Sequence, residues 1–254
     1  MYEELLELAK KVGAQAAALL MERPPAFELE EKSTAIDIVT QMDKKAEAFI
    51  VASLLAARPG DGMIGEEGAA IESTSGITWV IDPLDGTVNY FYGLPGWNVS
   101  IAAKDKDGSV VGVVAAPTIN STWWASRGGG AFYNGSSIRC NEPIAFDRAF
   151  IGTGFQYDVA HRQRQIENVA KMLPIIRDIR RNGAAAVDIC HVAMGALDGY
   201  FEDGLKEWDW AAASLVATEA GARFGLYGQA PYMTTIAGGP TLYTELESFL
   251  GLHA

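Results

Sequence analysis

Residues 79–92 read WVIDPLDGTVNYFY. With Ile77 and Thr78 before it, the run up to Ile81 is apolar, β-branched and aromatic, which predicts a buried strand over 77–81. Asp82-Pro83 ends that strand, because proline lacks the N–H a sheet ladder needs. Asp85 follows three residues after Asp82, and Gly86-Thr87 opens a helix. Two carboxylates on such a turn can converge on one cation, while the N–H groups at the start of the new helix suit a phosphate. Asp-Pro and Asp-Gly are also common turn dipeptides. Taken alone, the stretch leaves a purely structural role equally open.

Two distant places weigh against that bland role. Glu66-Glu67 stands after a short apolar segment in MIGEEG, and Asp209 stands between Trp208 and Trp210 in KEWDWAAA, at the start of a helix. An acid flanked by two bulky apolar rings is costly unless something compensates its charge. A metal ion would do so.

Working outward, Leu5, Leu8, Val12, Ala16 and Leu19 recur at helical spacing until Pro24-Pro25, and a second helix starts near Thr40 with Ala46, Phe49, Ile50 and Leu54 inward. Strands follow over 99–103, 110–115 and 122–125, then a hairpin turning at Asn134-Gly135. After about 150 the elements alternate: a strand at Phe150-Ile151, a polar helix, a strand at Ile179, a helix carrying Ala184, Val187, Cys190, Met194 and Leu197, a strand at Tyr200-Phe201, and a helix from about Trp208 to Gly221. The pattern predicts an α+β half over 1–145 and an α/β half over 146–254, sharing one crevice.

With 49% hydrophobic and 20% charged residues among 254, the chain has the composition of an ordinary globular protein with a large core. Its formal net charge of -12, without a run of five basic residues, argues against a generic nucleic-acid or anionic-lipid surface. An anionic substrate would then need a local reversal of sign, which metal ions provide. Cys140 and Cys190 form no CxxC pair, which fits reduced thiols rather than a disulfide framework or a zinc ribbon. The opening MYEELLELAKK lacks a basic n-region and no apolar run reaches about 18 residues, so a cytoplasmic location without membrane insertion is expected.

The GEE at 65–67, the DPLDGT at 82–87 with Asn89-Tyr90, and the WD at 208–209 with TEAGA at 218–222 resemble the inositol monophosphatase family, within the superfamily that includes the fructose-1,6-bisphosphatases. The resemblance spans nearly the whole chain. It implies a layered αβαβα sandwich, commonly a homodimer, and a Mg²⁺-dependent phosphatase sensitive to Li⁺. By the same resemblance, Glu66, Asp82 and the Leu84 carbonyl match the ligands of one ion and Asp82, Asp85 and Asp209 those of a second, with a third, mostly water-bound ion near Glu66. Hard oxygen donors of this kind suit Mg²⁺.

Thr87 and Asp43 match the pair that assists the attacking water, with Glu66 beside them, and Gly86 and Thr87 match the phosphate turn. Asp43 also fits a capping box with Thr40. Gly183, Ala184 and Ala185 match a backbone segment lining the polyol site, and Glu202 an acid that bonds a ring hydroxyl, with Asp85 also reaching the substrate. Lys32 falls at a family position near the site. Where the family carries a small hydroxyl residue before the assisting aspartate, this chain has Met42.

The substrate implied is a small phosphate ester, myo-inositol 1-phosphate first. Histidinol phosphate and fructose 1,6-bisphosphate are the neighbouring alternatives, and a regulatory macromolecule-binding protein that keeps the fold is the alternative of another class. GTGFQY at 152–157 lacks the third glycine of a dinucleotide fingerprint, and no Walker lysine or GxSxG elbow occurs. His161, His191 and His253 have no metal-binding spacing, and His191 reads as a structural residue in an apolar helix.

Overall fold

The computed structural model describes residues 2–31 and 38–252; Lys32 and His253 lie outside the described residues. Its first half carries α1 (Tyr2–Met21), β1 (Leu29–Glu31), β2 (Ile38–Thr40), α2 (Gln41–Ala57), β3 (Gly62–Gly65), β4 (Ala70–Ile71), β5 (Thr78–Asp85), α3 (Thr87–Tyr92), β6 (Asn98–Asp105), β7 (Gly108–Ala116), β8 (Ser121–Ser126), β9 (Gly130–Tyr133) and β10 (Ser136–Ser137). The second half carries β11 (Phe150–Thr153), α4 (Val159–Met172), β12 (Asp178–Arg180), α5 (Ala185–Ala193), β13 (Gly199–Asp203), α6 (Glu207–Glu219), β14 (Arg223–Tyr227), β15 (Thr234–Gly238) and α7 (Pro240–Phe249).

β3 to β10 form one eight-stranded sheet in the order β10-β9-β8-β7-β6-β5-β3-β4, and β11 to β15 a five-stranded sheet in the order β12-β11-β13-β15-β14. The larger sheet is buried on both faces, so its strands read as near-continuous apolar runs. Along β6, Val99, Ile101 and Ala103 pack with Leu5, Val12 and Ile50 of α1 and α2. Ala102 faces the opposite way, into a core shared with α5 and α6. Beyond the second sheet, Ile151, Phe201 and Ile236 pack with Leu242 and Leu246 of α7. The layers therefore run helix, sheet, helix, sheet, helix, the αβαβα sandwich that the resemblance implies.

Small residues bring the middle layer close. A Cβ on Gly112 of β7 would lie 2.9 Å from Ala212 Cα, so the α6 backbone rests directly on the sheet. That contact carries the first turn of α6, and Asp209 with it, over the ends of β5 and β6.

Three expectations need correction. The 77–81 strand does not stop at Asp82-Pro83: β5 runs on to Asp85, pairing Asp82 with Ser100 and Asp85 with Asn98, so three steps on β5 oppose two on β6. Pro83 is tolerated because it sits in this bulge. The helix carrying Ala184 to Leu197 ends at Ala193, since Gly195 takes φ +76° and turns the chain; Leu197 is buried outside it. The second half is not a simple alternation of strand and helix either: β11 is parallel to β12 and β13, but β15 runs antiparallel between β13 and β14.

Candidate active site

The cleft between the two sheets has a volume of about 310 Å³ and takes its lining from both halves. The β5 bulge explains how its first two acids meet. Side chains alternate along a strand, so residues three apart face opposite ways, and one inserted residue returns Asp85 to the side of Asp82. Their partners Ser100 and Asn98, two apart on β6, share that side. Asp82 is buried, and its Oδ1 accepts from Leu84 N at 3.0 Å, which shapes the turn.

β3 runs parallel to β5 with Gly65 beside Ile81, so the residue after β3, Glu66, arrives next to Asp82. Glu47 of α2 holds this loop by accepting from Glu67 N at 2.8 Å and Ala69 N at 3.0 Å. Asp209 comes from the other side, in the first turn of α6, where its Oδ2 accepts from Lys206 N at 2.6 Å. The helix-cap role and the place in the cleft belong to the same carboxylate.

Asp85 caps a helix that is not its own. α5 begins after Ala184, which has no side-chain acceptor for the helix's first N–H groups. Ala185 N lies 3.2 Å from Asp85 Oδ1 and Ala186 N 2.9 Å from Oδ2, and Asn98 Nδ2 donates to Oδ2 at 2.8 Å. These orphan N–H groups and the positive end of the helix favour an anion there.

The acids oppose one another. Burial is the main cause that pushes Asp82 well above the usual carboxylate range, reinforced by the charges of Glu66, Asp85 and Asp209. Burial and Glu66 do the same to Asp209. Burial raises Asp85 to about 6, with the hydrogen bonds from Asn98 and α5 pulling it back. Among the described residues no three His, Cys, Asp or Glu side chains are drawn together as a ready-made metal cage. The donor set is nevertheless all hard oxygen, and such mutually repelling carboxylates favour a divalent cation that neutralises them.

Asp43 serves two elements. Thr40 N and Thr40 Oγ1 donate to its Oδ2 at 2.9 and 2.6 Å, completing a capping box at the start of α2. Its Oδ1 lies 3.0 Å from Thr87 Oγ1, which also sits 3.1 Å from the Leu84 carbonyl. The capping box occupies one oxygen and leaves the other facing Thr87. Met42 leaves no gap in this network: it is buried in the core beside α1, and the hydroxyl comes from Thr40.

The opposite wall holds the second group of expected residues. Gly86 takes φ +86°, and a Cβ there would stand 3.2 Å from the Gly183 carbonyl and 3.3 Å from Ala184 Cβ, so only glycine lets the two walls approach. Asn89 Nδ2 donates to the Asn182 carbonyl at 2.8 Å and ties the walls together. Glu202 accepts from the Tyr200 hydroxyl on the same face of β13. Burial pushes Glu202 up to about 7, while the Tyr200 hydrogen bond and the Arg181 guanidinium draw it down.

Glu66, Asp82, Leu84, Asp85, Gly86, Thr87, Gly183, Ala184, Ala185, Glu202 and Asp209 all line this cleft, with Asp43 behind Thr87. Glu47, Asn98 and Tyr200 also serve it but escape the sequence reading. Asn98 was detectable only through its register opposite Asp85, which requires the bulge to be known. His191 belongs to α5, packs edge-on against Trp123 and has its Nδ1 3.8 Å from Asp188 Oδ1.

The inositol monophosphatase family description matches residues 1–247. This chain belongs to the inositol monophosphatase family. Within the family it is 40% identical over 238 residues to the inositol-1-monophosphatase of Mycobacterium leprae, covering 87% of this chain and 82% of the relative. It is 38% identical over 245 residues to the Nus factor SuhB of Escherichia coli K12, covering 93% and 91%. Among solved structures, the extragenic suppressor protein suhB of Bartonella henselae superposes with a TM-score of 0.91 at 31% identity, covering 97% of this chain and 98% of that one. Mycobacterium tuberculosis SuhB superposes with 0.85 at 38% identity, covering 98% and 96%. The family assignment supports a phosphatase hydrolase, and its members share this layered fold. No helix among the described residues is long and apolar enough to cross a membrane.

Proposed function

We propose that this family member is a Mg²⁺-dependent phosphatase that hydrolyses a small polyol phosphate monoester, with myo-inositol 1-phosphate as the leading substrate. The observation that carries the reading is the meeting of four acids from separate places in the chain, Glu66, Asp82, Asp85 and Asp209, beside the Gly86-Thr87 turn. Glu66, Asp82 and the Leu84 carbonyl would hold one Mg²⁺, and Asp82, Asp85 and Asp209 a second, with a third near Glu66 as the family resemblance implies. When bound, these ions supply positive charge for the phosphoryl oxygens and the leaving oxygen and acidify a water.

The chain's own groups do the rest. Thr87, 3.0 Å from Asp43, passes its proton to that carboxylate and takes one from the attacking water. Burial raises Asp43 above the usual carboxylate range, which makes it a better base. Gly86 and Thr87 orient the phosphate at the first turn of α3. On the other wall, the Gly183–Ala185 backbone and Glu202 receive the hydroxyls of the leaving alcohol.

The Nus factor name carried by relatives favours a second reading, a regulatory protein that keeps the fold and binds macromolecules. Phosphate release in Mg²⁺, measured with inositol 1-phosphate, histidinol phosphate, fructose 1,6-bisphosphate and a 3′,5′-nucleotide, separates the two. The expected result is hydrolysis fastest with inositol 1-phosphate, lost on adding a chelator and restored by Mg²⁺. Turnover that persists in metal-free buffer would sink the metal mechanism. No release from any of the four would favour the regulatory reading.

A further inference from the structure

Asn98 opens β6, directly opposite Asp85 across the bulge. It is 0% exposed and stands between Trp97 and Val99, both in the core beneath the sheet. Its two polar atoms fare differently. Nδ2 donates to Asp85 Oδ2 at 2.8 Å, but Oδ1 finds no partner among the described residues. A buried carbonyl without a protein partner costs stability, and an apolar residue of the same volume would avoid that cost. A residue that breaks a packing rule in this way points to function.

The geometry around Asp85 says which function. Oδ2 takes two close donors, Asn98 Nδ2 at 2.8 Å and Ala186 N at 2.9 Å. Oδ1 has one longer contact, Ala185 N at 3.2 Å. The carboxylate is therefore clamped through one oxygen, and the other keeps a lone pair for the cleft. The α5 donors reach both oxygens, but from one side and with the longer bond on Oδ1. Asn98 comes from a different element and adds the shortest of the three contacts, tightening the hold on Oδ2.

We propose that Asn98 is a positioning residue: it locks the Asp85 carboxylate so that Oδ1 faces a divalent cation in the cleft. This rests on the metal-phosphatase reading above. Asn98 itself touches neither cation nor phosphate. Partners of this outer kind commonly change metal affinity about 10- to 100-fold when removed.

The test is Mn²⁺ binding to chelator-stripped protein, followed by titration calorimetry or by the resonance of free Mn²⁺, beside the melting temperature of the metal-free protein. Asn98→Leu removes the donor at nearly constant volume, and Asn98→Ala carries the same test if the leucine variant does not fold. The expected result is a dissociation constant raised at least about tenfold, with a metal-free melting temperature equal to or above wild type. In an Asp85→Asn background the Asn98 substitution should change Mn²⁺ affinity no further, because its effect runs through Asp85. Unchanged affinity in the single variant would overturn the inference. So would a loss of affinity matched by a fall in melting temperature, or a full additional loss in the Asp85→Asn background. Wild-type protein that binds no Mn²⁺ would instead overturn the metal reading itself, and this inference with it.

Discussion

The two walls of the cleft are built on opposite plans. The wall on the eight-stranded sheet concentrates charge: Asp82, Asp85 and Glu66 stand at the ends of adjacent strands, and Asp209 leans in from α6. The wall on the five-stranded sheet mixes signs, offering the Gly183–Ala185 backbone, the Arg181 guanidinium and the acids Asp188 and Glu202, the latter paired with Tyr200. In the first wall almost every carboxylate holds a backbone N–H as well: Asp82 that of Leu84, Asp85 those of Ala185 and Ala186, Asp209 that of Lys206, and Asp43 that of Thr40. Acids that repel one another are kept in place by being part of the turns and caps around them. On the second wall the acids are held by side chains instead, Asp188 by Asn182 Nδ2 at 2.6 Å and Glu202 by the Tyr200 hydroxyl. Under the proposed phosphatase function, a site assembled this way would separate the task of neutralising a phosphate, common to many esters, from that of selecting the alcohol.

That division predicts unequal damage. The largest effect is expected at Asp209. Asparagine there still accepts from Lys206 N, so the α6 cap and the fold should survive, while the lost charge lowers turnover at least roughly 10²-fold on every phosphate ester. Steady-state kinetics with circular dichroism as the control checks this; near-native turnover with unaltered Mg²⁺ affinity would reduce Asp209 to a helix cap.

Glu202→Gln should do less, and only to some substrates. Replacing the charged acceptor by a neutral one is expected to lower kcat/KM for inositol 1-phosphate by roughly 5- to 150-fold, about 1–3 kcal/mol, while sparing a simple phosphate ester without that hydroxyl. Equal losses on both substrates would erase the difference between the walls and make Glu202 structural. No loss on either would leave selection to the backbone near Ala185.

The smallest effect is a pH dependence of stability. Glu202 is raised from 4.5 to about 7 in the folded protein, so the stabilisation from its protonated form is complete below pH 4.5 and is lost as pH rises through 7. Full conversion of that shift gives roughly 3 kcal/mol, and partial water contact reduces it to about 1 kcal/mol. Denaturant titrations of metal-free protein at pH 5 and pH 8 should show wild type losing that much more than Glu202→Gln. An identical difference in both proteins would mean that Glu202 titrates as it does in water.

Much of the first wall could be read directly. The strand into Asp82, the helix at Thr87 and the Thr40–Asp43 capping box are local, because each depends on residues a few positions apart. For the same reason the hairpin at Asn134-Gly135 is legible: both residues adopt positive φ, as the turn requires. The second sheet was harder. β14 and β15 were not foreseen, and β15 inserts antiparallel between β13 and β14, a choice of partner that no short window of residues encodes.

By itself, then, the sequence determined which residues are acids on turns, where the long helices run, and that the chain is a mixed α and β protein with a family motif spread over its length. Only the tertiary structure decided that the bulge turns Asp82 and Asp85 to one side, that Asp85 caps α5 from a distant strand, and that Asn98 stands behind it. The first set follows from periodicity and backbone bonding within a few residues. The second depends on register between β5 and β6 and on close approach between Asp85 and Ala185, 100 residues apart, and those are settled by packing the whole core.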